Sequence, residues 1–199
     1  MTQHDLPPPD LVEHTVTSEA VFDGRLLHVR RDTVRLPNGQ TALREYVVHP
    51  GAVAIIPLLA DGQVVLERQF RYPLRREFIE FPAGKLEAGE DPLICGKREL
   101  AEETGYVADR WHHVTTLHPV IGYSDERIEI YLAEGLTRSV AKLDDEEFLE
   151  VMSVPVSTAL QWLAEGQITD AKTVIGLFWL ERILAARVAV DEGAGPTQR

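Results

Sequence analysis

The sequence predicts an α/β protein: a mixed sheet with helices on its faces, preceded by a small antiparallel β module. Three observations lead there. Short apolar or alternating runs recur along the chain, punctuated by Pro-Asn-Gly at 37–39, Pro-Gly at 50–51 and Asp-Gly at 61–62, and these are turn signals between strands. One central helix is bracketed by Asp91-Pro92, an aspartate cap with proline at the first helical position, and by Gly105, a residue that readily takes the left-handed conformation at a helix end. Two further helical stretches, 156–165 and 171–188, close the chain, and the second carries Val174, Leu177, Phe178 and Ile183 in a pattern suited to packing on a sheet.

Residues 1–15 are proline-rich and polar and are expected to be loosely ordered. Strands are expected at 16–22, 26–36 and 41–49, making the small module of residues 16–49. The run 52–59 reads as a buried strand, and Asp61-Gly62 turns it back into 63–70. A basic loop at 71–76 leads to a short strand at 77–81 and a glycine-ended loop at 83–89. Strands are then expected at 111–118 and 127–132, where Ile128, Ile130 and Leu132 alternate with Arg127, Glu129 and Tyr131. An acidic loop precedes a last strand at 150–154. The main domain is placed at 50–190 and a disordered tail at 191–199. No internal repeat is visible.

With 199 residues, 44% hydrophobic, the chain can bury a substantial core. Its one cysteine, Cys95, excludes an internal disulfide and a multi-cysteine zinc site. The start lacks a basic segment followed by an apolar one, so no secretory signal is expected, and no run is long enough to span a bilayer. A soluble, cytoplasmic protein is the expectation. Formal net charge is -12, from 32 acidic and 20 basic residues. A field of that sign disfavours nucleic acid and anionic membranes as partners. The charge is uneven. Acids gather at 87–103 and 144–150, and Arg68, Arg71, Arg75 and Arg76 lie between them. Acidic clusters beside an arginine cluster suggest a metal bound near a phosphate.

The central stretch, 84–106, reads GKLEAGEDPLICGKRELAEETGY. Leu93, Lys97, Leu100 and Thr104 run along one side of its helix, and Glu99, Glu102 and Glu103 along another, expected to be exposed to a cleft. Like charges three and four residues apart are neighbours and cost stability unless a cation sits between them. Mg²⁺ and similar hard cations prefer such oxygen ligands and often share a substrate phosphate. Arg98, one turn before Glu102, is expected to hold it by an ion pair and leave Glu99 and Glu103 for metal.

The spacing of Gly84, Glu90, Arg98-Glu99-Leu100, Glu102-Glu103 and Gly105-Tyr106 resembles the Nudix box, G-x5-E-x7-R-E-U-x-E-E-x-G-U, at every fixed position. The flanking runs Phe78–Glu87 and Gly122–Glu126, with Phe22-Asp23-Gly24-Arg25, resemble the branch of that family that hydrolyses ADP-ribose and nucleoside diphosphate sugars. ADP-ribose members carry a proline just before the glycine matching Gly122, where this chain has Ile121, which keeps other nucleotide sugars open. The resemblance implies a Nudix α/β/α sandwich, Mg²⁺ or Mn²⁺ as cofactor, and a homodimer whose N-terminal module exchanges between subunits. It implies metal ligation by Glu99, Glu103, the Ala83 carbonyl and Glu147. The general base falls among Asp145, Glu146, Glu147 and Glu102, with Arg98 in support. Arg71 corresponds to the diphosphate-binding arginine and Arg44 to one that packs on the base. Glu126 corresponds to a ribose ligand, and Phe22 is an aromatic candidate near the base. His112, His113 and His118 are read as structural or exposed.

Overall fold

The structure, a computed structural model, describes residues 10–139 and 148–193. These residues form two compact units.

The first unit comprises the described residues up to His49 and Val120–Glu126. Its three strands, β1 (His14–Asp23), β2 (His28–Arg35) and β3 (Thr41–Val48), form an antiparallel sheet in that order. The β2–β3 turn closes through Gly39, at φ 83°, whose N–H donates to the Leu36 carbonyl at 2.9 Å. The left-handed conformation at that position explains the glycine. The segment 120–126 is tied to β3, because Val47 N–H donates to the Tyr123 carbonyl at 2.9 Å and His49 N–H to Asp125 Oδ1 at 2.7 Å. β1 begins at His14, inside the stretch expected to be loose, because its pairing with β2 extends to the His14–Arg35 register.

The second unit comprises Pro50–Pro119 and the described residues from Arg127 onward. Its strands are β4 (Ala52–Pro57), β5 (Gln63–Arg71), β6 (Arg76–Glu80), β7 (Ala83–Lys85), β8 (Tyr106–Leu117), β9 (Ile128–Arg138) and β10 (Leu149–Pro155). The helices are α1 (Pro92–Thr104), α2 (Val156–Ala164) and α3 (Ala171–Gly193). One sheet has the order β7-β4-β9-β8, in which β4 runs parallel to β9, and a second, antiparallel, has the order β10-β5-β6.

β4 explains the layering. It is buried on both faces, as a strand between two helical layers must be. Ala52, Ala54 and Ile56 pack with Ile128, Ile130 and Leu132 of β9, Phe81, and Leu177 and Leu180 of α3. Val53 and Ile55 point the other way, into a cluster with Cys95 and Leu100 of α1. The result is the mixed-sheet α/β/α architecture expected. Both helices approach the sheet through glycine: a Cβ on Gly176 would stand 2.8 Å from the Phe81 ring, and one on Gly96 3.2 Å from Val53.

Several element bounds differ from the sequence reading. β7 occupies the start of the expected 83–89 loop, because Ala83 and Gly84 pair with Ala54 and Val53 of β4. β8 starts at Tyr106, directly after the α1 cap, since cross-strand pairing with β9 extends it through polar residues that carry no alternation. The 71–76 segment holds a 3-10 turn, Tyr72–Leu74, between β5 and β6. α3 continues to Gly193, into the expected tail.

Candidate active site

α1 is built as its ends imply. Asp91 Oδ1 accepts from the N–H groups of Leu93 and Ile94 at 2.9 and 3.2 Å, and Gly105, at φ 67°, donates to the Ala101 carbonyl at 3.1 Å. The buried residues Cys95, Gly96, Glu99, Leu100, Glu103 and Thr104 mark the face turned to the sheet. This corrects the sequence reading in two ways. Lys97 is exposed and takes no part in packing. Glu99 and Glu103, expected on an exposed face, are 9% and 5% exposed, while the side chain of Glu102 is 43% exposed. The reason is the 3.6-residue period, which places 99 and 103 beside 96 and 100 and turns 102 outward.

The two buried carboxylates meet the β7 backbone. Ala83 N–H donates to Glu103 Oε2 at 3.1 Å. Glu99 lies over Gly84, so that a Cβ there would stand 1.8 Å from Glu99 Oε1. Only glycine lets that carboxylate reach the strand.

Arg98 lies at the centre of the acidic cluster. Its Nε and Nη2 donate to the two oxygens of Glu90, each at 3.1 Å, and Nη1 donates to Glu99 Oε1 at 2.9 Å and Glu102 Oε2 at 3.1 Å. It therefore holds Glu99 as well as Glu102, and does not leave Glu99 to metal alone as expected. One planar fork meets three carboxylates because its donors diverge. Glu90 also accepts from Glu87 N–H at 2.9 Å. Arg98, and then this N–H, hold the Glu90 carboxyl down at about 2. Arg98 is raised above the usual guanidinium range, Glu90 being the first cause. Burial, then the charges of Glu99 and Glu90, push the Cys95 thiol up to about 12, so it is no nucleophile at neutral pH.

Beside this cluster, Arg71 Nε and Nη2 donate to Glu80 Oε1 and Oε2 at 2.7 and 2.8 Å. The bond to Glu80 raises the Arg71 pKa, and Asp170 and Glu103 add to the effect through their charges. Glu80 also accepts from Lys172 Nζ. Glu80, Lys172 and Asp170 escaped the sequence reading. The available signals were a charge inside the apolar run Phe78-Ile79-Glu80-Phe81 and an aspartate opening the last helix. The other arginines diverge. Arg68 pairs with Glu150 and Glu77, Arg75 lies 3.5 Å over the Tyr72 ring, and Arg76 lies 4.3 Å over Phe78.

In the first unit, Arg44 pairs with Glu13 at 2.5 Å and Glu126 stands 3.8 Å from His49 Nε2. Phe22 is exposed, its ring lying over Gly24. Asp145, Glu146 and Glu147 lie outside the described residues. On β8, His113 and His112 pair with Glu129 and Glu134 at 2.8 and 3.8 Å.

The donor set fits a hard cation. Two carboxylates one turn apart converge on the Ala83–Gly84 backbone, and carboxylate and carbonyl oxygens are what Mg²⁺ and Mn²⁺ prefer. Among the described residues no three His, Cys, Asp or Glu side chains converge on one metal position.

Fold and site define an α/β/α domain with buried carboxylates on one capped helix, locked by an arginine, against a glycine strand. The chain belongs to the Nudix family: the NUDIX domain model matches residues 48–175, and the model of the nucleoside diphosphate sugar hydrolase N-terminal domain matches 13–47. It is 42% identical to a methanol dehydrogenase activator of Bacillus methanolicus over 85% of this chain and 92% of that one. It is 40% identical to an ADP-ribose pyrophosphatase of Bacillus subtilis (strain 168), over 86% and 94%. The crystal structure of an ADP compounds hydrolase shares the fold, with a TM-score of 0.79 over 88% of this chain and 95% of that one, at 24% identity.

Proposed function

We propose that this Nudix pyrophosphohydrolase hydrolyses the diphosphate linkage of ADP-ribose or a related nucleoside diphosphate sugar, releasing a nucleoside monophosphate and a sugar phosphate. The convergence of Glu99 and Glu103 on the Ala83–Gly84 backbone carries the reading. It is supported by relatives named ADP-ribose pyrophosphatase, ADP-sugar pyrophosphatase and GDP-mannose pyrophosphatase.

A diphosphate is anionic and inert, so the site must neutralise charge and activate water. Glu99, Glu103, the Ala83 carbonyl and Glu147 would hold Mg²⁺ or Mn²⁺, which when bound supplies charge neutralisation and a more acidic water. Arg98 orients Glu99 through the 2.9 Å bond. Arg71, fixed by Glu80 along one edge, turns its remaining N–H groups to phosphate oxygens. The base that takes the water proton is one of Asp145, Glu146, Glu147 and Glu102. Arg44, Glu126 and Phe22 select the nucleoside. The first unit's exposed Val16, Val21, Phe22 and Leu43 support a homodimer formed through it. Its substrate is a small nucleotide in the cytoplasm, with neither nucleic acid nor membrane as partner, a reading supported by the net charge of -12.

Purified protein with Mg²⁺ is expected to release AMP from ADP-ribose or GMP from GDP-mannose. Glu103→Gln is expected to lose at least ~100-fold of that rate. A wild type inactive across a nucleotide-sugar panel would end the proposal. A second reading, action on a partner dehydrogenase, is favoured by the relative named methanol dehydrogenase activator. It requires that adding the protein to purified methanol dehydrogenase raise its turnover.

A further inference from the structure

Glu80 binds two cations at once. It is buried, and it accepts from Arg71 through both oxygens and from Lys172 Nζ through Oε2. The Lys172 side chain is only 11% exposed. Asp170 Oδ2 accepts from Lys172 Nζ at 2.9 Å and is itself fixed by Thr173 N–H at 3.0 Å and Thr173 Oγ1 at 2.7 Å. Thr173 Oγ1 in turn accepts from Phe81 N–H at 2.8 Å. The start of α3 is thus clamped to the end of β6, and the ammonium is held in one place.

Arg71 differs from Lys172 in exposure. Its side chain is 45% exposed, and its bonds to Glu80 use Nε and Nη2 and not Nη1. The charges decide what a diphosphate meets there. Arg71 and Lys172 against Glu80 and Asp170 sum to zero. Without Lys172 these four positions sum to -1; Glu103 acts on Arg71 in both cases and lowers each sum by one. An arginine attracts a diphosphate less as the cluster around it grows more negative, because the nearby carboxylates repel the diphosphate at the same range.

We propose that Lys172 is a positioning residue for the diphosphate. By sharing Glu80 with Arg71 it cancels the buried carboxylate, so that the edge of Arg71 not bonded to Glu80 presents its charge to phosphate. This rests on the reading of Arg71 as the diphosphate-binding arginine. A purely structural role, pinning α3 to β6, would lower stability and leave anion affinity alone.

The test is charge rescue in the full-length protein, read as affinity for inorganic pyrophosphate with Mg²⁺ by calorimetry and as KM and kcat for ADP-ribose. Lys172→Met is expected to weaken pyrophosphate binding about tenfold and raise KM in parallel, with kcat changed less than about threefold. Glu80→Gln combined with Lys172→Met returns the sum to zero, and affinity recovers to within about threefold of wild type. Asp170→Asn, which keeps a capping side chain, raises the sum to +1 and tightens binding about threefold. That variant decides the matter should Lys172→Met fail to fold. The proposal is overturned if wild type does not bind pyrophosphate. It is also overturned if Lys172→Met binds as tightly as wild type, if the double variant is no better than the single, or if Asp170→Asn binds no tighter. Pyrophosphate affinities that follow the charge, in a protein that hydrolyses no nucleotide sugar, would uphold Lys172 and refute the proposed function.

Discussion

Arg98 shows how one side chain organises a site. Its guanidinium reaches Glu90, Glu99 and Glu102 at 2.9 to 3.1 Å, so three acids share one cation. Glu90 is held at about 2, below its ordinary carboxylate value, first by Arg98. A depressed carboxyl pKa stabilises the fold above the unfolded-state value, and that contribution disappears as pH falls through the folded-state value. Glu90→Gln is therefore expected to lower Tm at pH 7 and pH 5. The gap from wild type should shrink as pH drops below about 4.5 and vanish near 2. A thermal series in which the gap persists unchanged at pH 2 would refute this account. Pattern matching singles out Arg98 and Glu90. It assigns Arg98 to Glu102 alone, because the bond to Glu99 depends on how the fork is aimed.

At the scale of elements, α1 owes its exact start to local chemistry. Asp91 satisfies two N–H groups that the first turn leaves without helical partners. Asp91→Ala is expected to cost about 0.5–2 kcal/mol in a denaturant melt, and Asp91→Asn to cost little. A neutral alanine variant would mean that tertiary packing alone holds the first turn. Caps and turns of this kind are readable in advance because they depend on a few adjacent residues. The extents of β7, β8 and β9 are less readable. Ala83 and Gly84 become strand by pairing with β4, and Tyr106 onward by pairing with β9, and neither partner is adjacent in sequence.

Within the second unit, two buried carboxylates one turn apart meet the Ala83–Gly84 backbone, a set of oxygen donors of the kind Mg²⁺ prefers. Mg²⁺ is therefore expected to raise the Tm of wild type, approaching about 2.7 kcal/mol of stabilisation at a hundred times its dissociation constant. Glu99→Gln combined with Glu103→Gln should abolish most of that shift. A Tm unmoved by Mg²⁺ or Mn²⁺ in wild type would refute metal binding by this pair.

By itself the sequence determined the α/β class, the capped helix, and the glycine, arginine and glutamates of the motif, since each is set by short-range spacing and backbone chemistry. The tertiary structure alone decided that Glu99 and Glu103 face inward against Ala83 and Gly84 while Glu102 faces out. It also brought Arg71, Glu80 and Lys172 together from β5, β6 and α3. Such contacts join residues far apart in the chain, and which of them form is settled by how the sheets and helices pack.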